Sequence, residues 1–370
     1  MVLRVDTFKS GPFSFRSPTE DLEISYAILQ ANILFQTVRD LPILPNLASS
    51  LDEELIRRSI FGTAAIEGNP LGEEDVSKIL ANSADVVTTE RAKKEILNLS
   101  KAYQILGDGN FEKTGITEKL VRTIHTALTN EIDYADNEPG KYRNHRVKVG
   151  NEEHGGVYAP PKNLDDIRNL MKEFVSWVNS PEIAELNPFV RASLAHYHFC
   201  LIHPFGDGNG RTARLLESII LQSAGIKFVP VMLSNFYYRN IDDYYWAFSN
   251  SIKNADTGAF VKFSLKGVIE SLNEIKGKII FIIRRLSLSN YYKFLRQRRD
   301  ISQRQYDLLA LLLESPVSFT HDDLHTKEPY KILYRGVSTR TASRDLKKLT
   351  LMKLLNVQDK IYLLNFEALG

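Results

Sequence analysis

Apolar residues recur three and four positions apart through most of this chain, which is the period of an amphipathic α-helix. The pattern is clear in SLDEELIRRSIFGTAAIEG and TERAKKEILNLSKAYQIL, and it returns in TEKLVRTIHTALTN and LDDIRNLMKEFVSWVNS. A chain of 370 residues is also too long for one ordinary core. The sequence therefore predicts a mainly α protein with an N-terminal helical region over 1–107, a helical core over 108–285 and a C-terminal domain over 286–370.

Two stretches depart from the helical period. Residues 1–20 are polar and punctuated by proline and glycine, which favours an irregular arm. The segment YRNHRVKVGNEEHGGVYAPPKN places short β-prone runs on both sides of a glycine-rich turn, before Pro160 and Pro161 end it. This segment predicts a small β-hairpin within the helical core.

The tail changes character at about Leu286. Helical segments, the last of them VSTRTASRDLKKLTLMKLL, precede two short apolar strands around LLNVQDKIYLLNF, an order typical of a winged helix-turn-helix. Residues 331–355 hold seven lysines and arginines against a single acid, Asp345. STRTASRDLKKL is then the expected recognition helix. DNA binding and protein docking both stay open for this domain.

The composition is that of a globular protein, with 43% hydrophobic and 25% charged residues. The net charge of +2 predicts no strong attraction of the whole chain to nucleic acid or membrane. Cys200 is the only cysteine, which rules out an intramolecular disulfide framework and is typical of a reducing compartment. Because the N-terminus lacks a signal-like segment and no apolar run is long, the sequence predicts a cytoplasmic protein without membrane association.

The stretch HPFGDGNGRTAR, residues 203–214, concentrates residues that carry chemistry. His203 follows an apolar helix and can take a proton near neutral pH. Gly208 and Gly210 let backbone N–H groups converge on an anion. A helix that starts at about Asn209 points its positive end at the same place.

Two arginines and one acid complete this stretch. Arg211 and Arg214 are three apart on the following helix, so both guanidinium groups project towards one side and suit phosphate oxygens. Asp207, an oxygen ligand beside a polyphosphate site, suits Mg²⁺. The stretch therefore predicts a nucleoside triphosphate site with a general base next to it.

Other phosphate and metal sites fit the sequence less well. A Walker A loop needs G-x-x-x-x-G-K-S/T, and a dinucleotide fingerprint needs a preceding strand and G-x-G-x-x-G spacing, neither of which is present here. A zinc site would use His196, His198 and His203. The first two point to different helix faces, and no cysteine pair supports them.

HPFGDGNGRTAR resembles the signature of the Fic family, H-P-F-x-D/E-G-N-G-R-x-x-R, at every fixed position, and the likeness extends over about 115–265. Members of that family are helical proteins that mostly transfer AMP from ATP to a hydroxyl side chain of a target protein. The resemblance implies ATP as donor and Mg²⁺ as cofactor, with in-line attack on the α-phosphorus and departure of pyrophosphate. Members also often form homodimers, which leaves the oligomeric state open here.

Position by position, the resemblance makes His203 the base that deprotonates the target hydroxyl and Asp207 the Mg²⁺ ligand. Arg211 would hold the β-phosphate and Arg214 the γ-phosphate. A branch that resembles the Doc toxins transfers the γ-phosphate instead. Its motif has lysine at the position of Arg211 and an altered glycine–asparagine–glycine run, so this sequence favours AMP transfer. The ATP-binding set implied by the motif is Gly206, Asp207, Gly208, Asn209, Gly210, Arg211 and Arg214.

The upstream stretch TAAIEGNP gains a meaning from the same resemblance. Thr63, Glu67 and Gly68 match S/T-x-x-x-E-G/N, the inhibitory helix motif of the family. Arg214 can pair with a γ-phosphate or with a carboxylate, but one guanidinium fork cannot satisfy both. We therefore expect Glu67 to hold Arg214 and to inhibit the chain intramolecularly. The alternative activity is a hydrolase that removes AMP, with Glu67 orienting a water.

Three further expectations concern the surroundings of the motif. The hairpin, at about 145–159, resembles the family's flap, which would pair with a target segment by strand addition. Tyr237, Tyr244 and Tyr245 in NFYYRNIDDYYWAF are the expected adenine-pocket residues. A function of another class also stays open, a DNA-binding regulator whose core senses nucleotide.

Overall fold

The computed structural model describes residues 2–83, 86–108, 115–134 and 136–368. Within these ranges the protein is mainly α-helical with three small antiparallel sheets, so the predicted fold class is confirmed. The chain divides into two compact units, one of Met1–Asp40 with Leu44–Lys276 and one of Leu41–Ile43 with Gly277–Gly370. Along the chain, the main boundary between the units falls between Lys276 and Gly277, nine residues before the boundary at 285/286 that the sequence suggests.

The elements of unit 1 follow one another from a short N-terminal hairpin to a long helix. None of the helices in the described ranges has the length and the apolar run that crossing a bilayer requires. In chain order the elements are β1 (Val2–Val5), β2 (Phe13–Arg16), α1 (Leu22–Asp40), α2 (Pro45–Ile66), α3 (Glu73–Leu80), α4 (Glu90–Asp108), α5 (Glu118–Thr129), β3 (Val149–Asn151), β4 (Gly156–Tyr158), α6 (Leu164–Val178), α7 (Pro181–Ala184), α8 (Pro188–Ile202), α9 (Asn209–Ser223), α10 (Val229–Arg239), α11 (Ile241–Lys253) and α12 (Gly258–Gln297), the last of which continues into unit 2.

The helices α8 and α9 form the centre of unit 1. Pro188 occupies the first turn of α8, and the Asn187 side chain caps it by accepting a hydrogen bond from the Phe189 N–H. Most side chains of both helices are buried, which explains why α8 is apolar on nearly all sides. The connection between them, residues 203–208, is therefore held between two rigid elements.

Helix α2 packs closely on α10, and a glycine makes the approach possible. A Cβ at Gly62 would lie 2.9 Å from the Cα of Asn235 and 3.0 Å from the carbonyl oxygen of Ser234. Any larger residue would push the helices apart, and the C-terminal end of α2 would then move. This contact places the Thr63–Glu67 segment over the start of α9.

Residues 2–16 form a β-hairpin, so the expectation of an irregular arm is wrong. Strands β1 and β2 are antiparallel, with Val2 opposite Arg16 and Val5 opposite Phe13. Phe13 and Phe15 point inward, and the Phe15 ring stacks on Trp177 with centroids 5.3 Å apart. Two buried rings at a period of two fix the strand, whereas the proline and glycine residues around them mark only its ends.

Unit 2 has its own apolar core, which includes Leu308, Leu346 and Tyr334. Its helices are α13 (Gln303–Glu314), the one-turn helices α14 (Asp323–Thr326) and α15 (Tyr330–Leu333), and α16 (Thr339–Leu351). Strand β5 (Phe319–Thr320) joins β6 (Leu355–Gln358) and β7 (Ile361–Leu364) in the order β5–β7–β6. The sequence predicts the order of the helices and the last two strands, but not β5.

The hairpin predicted inside unit 1 is present. Strands β3 and β4 pair antiparallel, with Val149 opposite Tyr158 and Asn151 opposite Gly156. Residues 152–154 form one turn of 3₁₀-helix between them, capped by the Asn151 side chain. We call residues 145–159 the flap.

Candidate active site

The turn after α8 is fixed by hydrogen bonds within the motif. His203 caps the C-terminus of α8, has φ 49° and ψ 59°, and donates its N–H to the carbonyl oxygen of Phe199 at 2.9 Å. The left-handed conformation is uncommon for a residue other than glycine and marks a constrained position. The Asn209 side chain accepts from the N–H of Phe205 and donates to its carbonyl oxygen, both at 2.9 Å. The Asn209 amide therefore braces the turn.

His125 on α5 supports the same turn. Its Nε2 donates to the carbonyl oxygen of Asp207 at 2.9 Å, and its Nδ1 accepts from the N–H of Gly140 at 2.9 Å. The ring stacks on Phe205 with centroids 3.6 Å apart. Burial lowers the pKa of His125 to about 4, so the ring stays neutral with the tautomer that these bonds require. Sequence reasoning missed this residue because a single histidine in a helical segment carries no local signal.

The three glycines of the motif each accommodate a close neighbour. Gly208 has φ 76° and caps the N-terminus of α9. A Cβ at Gly210 would lie 2.6 Å from Glu67 Oε1 and 3.2 Å from Arg214 Nη1. Gly206 lies against the backbone of Asp136, where a side chain would also clash. The absence of side chains at these glycines leaves the N-terminus of α9 uncovered and lets the Glu67 carboxylate approach it.

The N-terminus of α9 presents backbone N–H groups suited to binding an anion. No side chain caps this helix, and the N–H groups of its first turn have no partner inside the helix. The helix dipole adds partial positive charge at the same point. Asn209, Gly210 and Arg211 supply these N–H groups, so a phosphate oxygen placed here would meet several donors at once.

Arg211 is held in a chain of polar contacts that reaches α4. Its Nη2 donates to Asp207 Oδ1 at 2.6 Å and its Nη1 to the Tyr134 hydroxyl at 2.6 Å, and that hydroxyl donates to Glu95 Oε1 at 2.9 Å. The Arg211 side chain is 4% exposed, whereas that of Asp207 is 39% exposed. The guanidinium is therefore buried and fixed by both partners, whereas the Asp207 side chain stays partly exposed. Tyr134 was not identified from the sequence.

Arg214 is occupied by the end of α2. Its Nη2 donates to Glu67 Oε1 at 2.6 Å, and its Nε donates to the Thr63 hydroxyl oxygen at 2.6 Å. Burial is the largest influence and raises the pKa of Glu67, but Arg214 and Arg211 together outweigh it, so the pKa lies below the ordinary value. Glu67 is therefore ionised. Gly68, with φ 82°, follows the helix end and turns the chain away.

His203 faces this cluster as a neutral imidazole. Its Nδ1 donates to the carbonyl oxygen of Cys200 at 3.3 Å, which leaves Nε2 as a proton acceptor. Burial, and then the charge of Arg143, lower the pKa of His203 to about 4. At neutral pH the ring is uncharged and able to accept a proton.

Arg143 ties the flap to the turn, and sequence reasoning missed it as well. It is 3% exposed, and no carboxylate pairs with it in the part of the chain that the structure describes. Its guanidinium donates to the carbonyl oxygens of His203 at 2.7 Å, His145 at 2.6 Å and Pro161 at 2.8 Å. The start of the flap at His145 and the chain just after it at Pro161 are thereby joined to the backbone of His203, which fixes this imidazole relative to the flap.

The flap and α11 enclose a cavity of about 420 Å³ beside these residues. His154 on the flap contacts Asp242 Oδ1 through Nε2 at 2.8 Å, and the Ser249 hydroxyl donates to the carbonyl oxygen of Gly155 at 3.3 Å. The volume lies within the range of sites for cofactor-sized ligands. The residues that line this cavity include Glu67, His203, Gly210, Arg214, Tyr244 and Tyr245.

Tyr237 lies elsewhere, so its expected place in the adenine pocket is corrected. It is fully buried under the cavity, and its hydroxyl donates to Glu217 Oε1 at 2.8 Å. The spacing of aromatic residues along α10 and α11 cannot tell which ring faces inward, and here packing turned Tyr237 into the core. Tyr244 reaches the cavity although its hydroxyl contacts His196 Nε2 at 2.9 Å.

The histidines of the zinc alternative have separate partners. His196 lies between Glu217 and Tyr244, while His198 hydrogen-bonds the backbone of Arg16. Among the described residues, no group of three or more histidine, cysteine, aspartate or glutamate side chains is placed to hold a metal ion. The arrangement thus offers no reason to prefer a zinc centre.

Residues 115–221 match the model of the Fic/DOC family. The chain is 31% identical over 219 residues to a protein adenylyltransferase Fic of Drosophila erecta, a match that covers 57% of this chain and 40% of that protein. The chain therefore spans less than half the length of the curated relatives it matches.

Two solved structures share the fold. A Fic family protein from Desulfovibrio desulfuricans G20 has a TM-score of 0.60 at 20% identity, covering 95% of this chain and 98% of that one. Fic-1 (residues 134–508) from C. elegans has a TM-score of 0.57 at 23% identity, covering 69% and 72%. The family match includes the whole motif from His203 to Arg214, so residues 115–221 of this chain form a domain of the Fic/DOC family.

Proposed function

We propose that this protein transfers AMP from ATP to a hydroxyl side chain of a protein, either a separate target or the chain itself. The observation that carries the proposal is that a neutral His203 lines the same cavity as the start of α9 and Arg214. A proton acceptor and a phosphate cradle in one enclosed site are what nucleotidyl transfer to a hydroxyl group requires. The relatives in flies that carry the name protein adenylyltransferase support the same activity.

The cradle can accommodate the phosphates in a definite order. The free N–H groups at the start of α9 would bind the α- and β-phosphates, and Arg211, fixed by Tyr134, would bind the β-phosphate. Arg214 would bind the γ-phosphate once Glu67 leaves it. Tyr244 and Tyr245 are the aromatic residues left to contact the base.

The chemistry follows from the position of His203. The target hydroxyl would give its proton to Nε2, its oxygen would bond to the α-phosphorus, and the bond from that phosphorus to the bridging oxygen would break, releasing pyrophosphate. Arg143 and His125 hold the base and the turn, so little reorganisation is needed when charge develops.

Asp207 fits a magnesium ion on the chemistry of its donors. Its side chain is 39% exposed, and the described residues place no cluster of further ligands around it. Mg²⁺ commonly takes one or two protein carboxylates and completes its shell with phosphate oxygens and water. Bound there, the ion would neutralise negative charge on the leaving pyrophosphate.

We propose that Glu67 keeps this activity low. With Arg214 paired to Glu67 Oε1, the γ-phosphate would lose its guanidinium partner and meet a carboxylate instead. ATP could then bind only in a displaced pose. The flap, which Arg143 connects to His203, is the proposed docking site for an extended target segment.

The proposal is tested by incubating the wild type and Glu67→Gly with α-labelled or γ-labelled ATP and Mg²⁺. Protein-bound label from α-labelled ATP alone, increased in the variant, supports AMP transfer. Label from γ-labelled ATP would indicate kinase chemistry and contradict the proposal. Adding the purified, labelled product back to the wild type tests the hydrolase alternative, which requires release of AMP that depends on Glu67.

A further inference from the structure

We infer that α16 of unit 2 is a binding surface for double-stranded DNA. This inference is independent of the proposed transferase activity. It depends on a stripe of exposed basic side chains along one helix, which we call the basic stripe and define as Arg340, Arg344, Lys347 and Lys348.

Burial along α16 separates the helix into two faces. Ala342, Leu346 and Leu349 are buried in the core of unit 2, at the spacing of one helical face. The four residues of the basic stripe are all exposed on the opposite side. None of the four forms an ion pair within the described residues of the chain. Their charges are therefore available to a partner.

The one acid of this helix has been removed from the surface. Asp345 is 7% exposed and accepts hydrogen bonds from Arg304 Nε at 2.8 Å and from Gln305 Nε2 at 2.9 Å. The carboxylate is thus neutralised inside the unit and leaves the exposed face with a charge of +4 from the basic stripe. For a chain whose net charge is only +2, this is a strong local concentration.

Three further exposed cations flank α16 in the sequence. Lys331 and Arg335 precede α16, and Lys353 follows it. At the turn between β6 and β7, Asp359 stands next to Lys360, so the positive field comes from the helix and not from the hairpin. A row of cations on the exposed face of a helix is complementary to a regularly spaced polyanion.

The shape favours DNA over RNA and over an acidic protein. The major groove of B-DNA, about 12 Å wide, admits an α-helix, whereas that of double-stranded RNA is too narrow and deep. Thr339, a short and exposed polar residue, precedes Arg340 at the start of α16 and can hydrogen-bond phosphates or base edges. Large exposed apolar residues, which would anchor a protein partner, are limited on α16 to Leu351 at its end.

The test uses the full chain and a fluorescein-labelled DNA duplex of about 30 base pairs and mixed sequence, with anisotropy measured over a series of salt concentrations. The variant carries alanine at all four positions of the basic stripe, where high helix propensity keeps α16 folded, as circular dichroism would verify. The matched control replaces four exposed lysines of unit 1, Lys9, Lys119, Lys172 and Lys253, and so removes the same charge.

We expect the wild type and the control to bind alike, and the stripe variant to bind at least tenfold more weakly at low salt. The slope of log K against log salt should fall in magnitude by up to about 3.6, which is about 0.9 for each of the four lost phosphate contacts. Equal weakening in the control, or no binding by the wild type, would overturn the inference. An RNA duplex that competes as well as the DNA would overturn the assignment to DNA.

Discussion

Replacing Glu67 with glycine should activate the protein, because it removes the carboxylate that occupies Arg214. Removing one partner of a fully buried ion pair costs about 3–5 kcal/mol. Arg214 is buried to that degree, but the Glu67 side chain is 29% exposed, so solvent screening reduces the value to about 2 kcal/mol. In the wild type, the γ-phosphate must separate Glu67 from Arg214, so this free energy is subtracted from the binding of ATP in its productive pose. In Glu67→Gly there is no such pair to separate. Since about 1.4 kcal/mol corresponds to a factor of ten, we expect AMP incorporation to rise by roughly 30-fold.

The same pair makes an independent prediction for stability. Without nucleotide, Glu67→Gly leaves Arg214 bonded only to Thr63, so its midpoint of thermal unfolding should fall. With saturating ATP the variant should regain more stability than the wild type, because its site binds the nucleotide more tightly. Both quantities can be read from thermal melts with and without ATP.

Two controls separate the charge from the backbone. Glu67→Gln keeps the side chain but loses the charge, and it should activate to a similar extent. Glu53→Gly introduces glycine at an exposed position of the same helix, where it should cost about 1 kcal/mol of stability and leave the rate unchanged. A Glu67→Gly rate equal to that of the wild type, or matched by Glu53→Gly, would refute the inhibitory role of Glu67.

Three further predictions concern the residues around the turn. In an activated background, Arg143→Gln should raise the pKa of His203, because the charge of Arg143 lowers it in the wild type. The acidic limb of kcat/KM against pH should then move to higher pH, and an unmoved limb would show that Arg143 does not act on the base. Asp207→Asn should raise the Mg²⁺ concentration that gives half-maximal transfer, and an unchanged requirement would exclude this ligand. His125 and His198 have pKa values of about 4 in the folded protein and about 6.5 in the unfolded chain, so between these pH values the unfolded chain binds more protons. Each histidine should therefore lower the free energy of unfolding by roughly 3 kcal/mol as the pH falls from 6.5 to 4. Denaturant titrations at several pH values would measure this loss.

The part of the site that could be predicted from the sequence is the part built from neighbours in the chain. Residues 203–214 combine a helix end, a glycine turn and a helix start, and each of these has a local pattern. Glu67 and Thr63 belong to the end of one helix, so they also share a short stretch. The structure brings both stretches to Arg214, which is the contact that the motif suggests.

The supporting residues could not be predicted, because their contacts join distant parts of the chain. Arg143 bonds the carbonyl oxygen of His203, 60 positions away, and His125 bonds that of Asp207, 82 positions away. Tyr134 reaches Arg211 across 77 positions. Contacts of this kind depend on how the helices pack, and no period or composition in one segment records them.

The N-terminal hairpin and Tyr237 show the same limit from the side of the core. Phe13 and Phe15 look like isolated aromatics in a polar segment until Trp177 is placed beside them. Tyr237 and Tyr244 stack on each other with centroids 5.1 Å apart, yet only Tyr244 lines the cavity. Aromatic residues on two neighbouring helices predict a cluster, but its orientation is set by packing.

The most direct test of the transfer chemistry is His203→Ala in the Glu67→Gly background, assayed with α-labelled ATP alongside a measurement of ATP affinity. We expect incorporation to fall by about 10²–10⁴, the usual contribution of a general base, while the dissociation constant for ATP stays within a few fold. Transfer at an undiminished rate would contradict the role of this imidazole as proton acceptor.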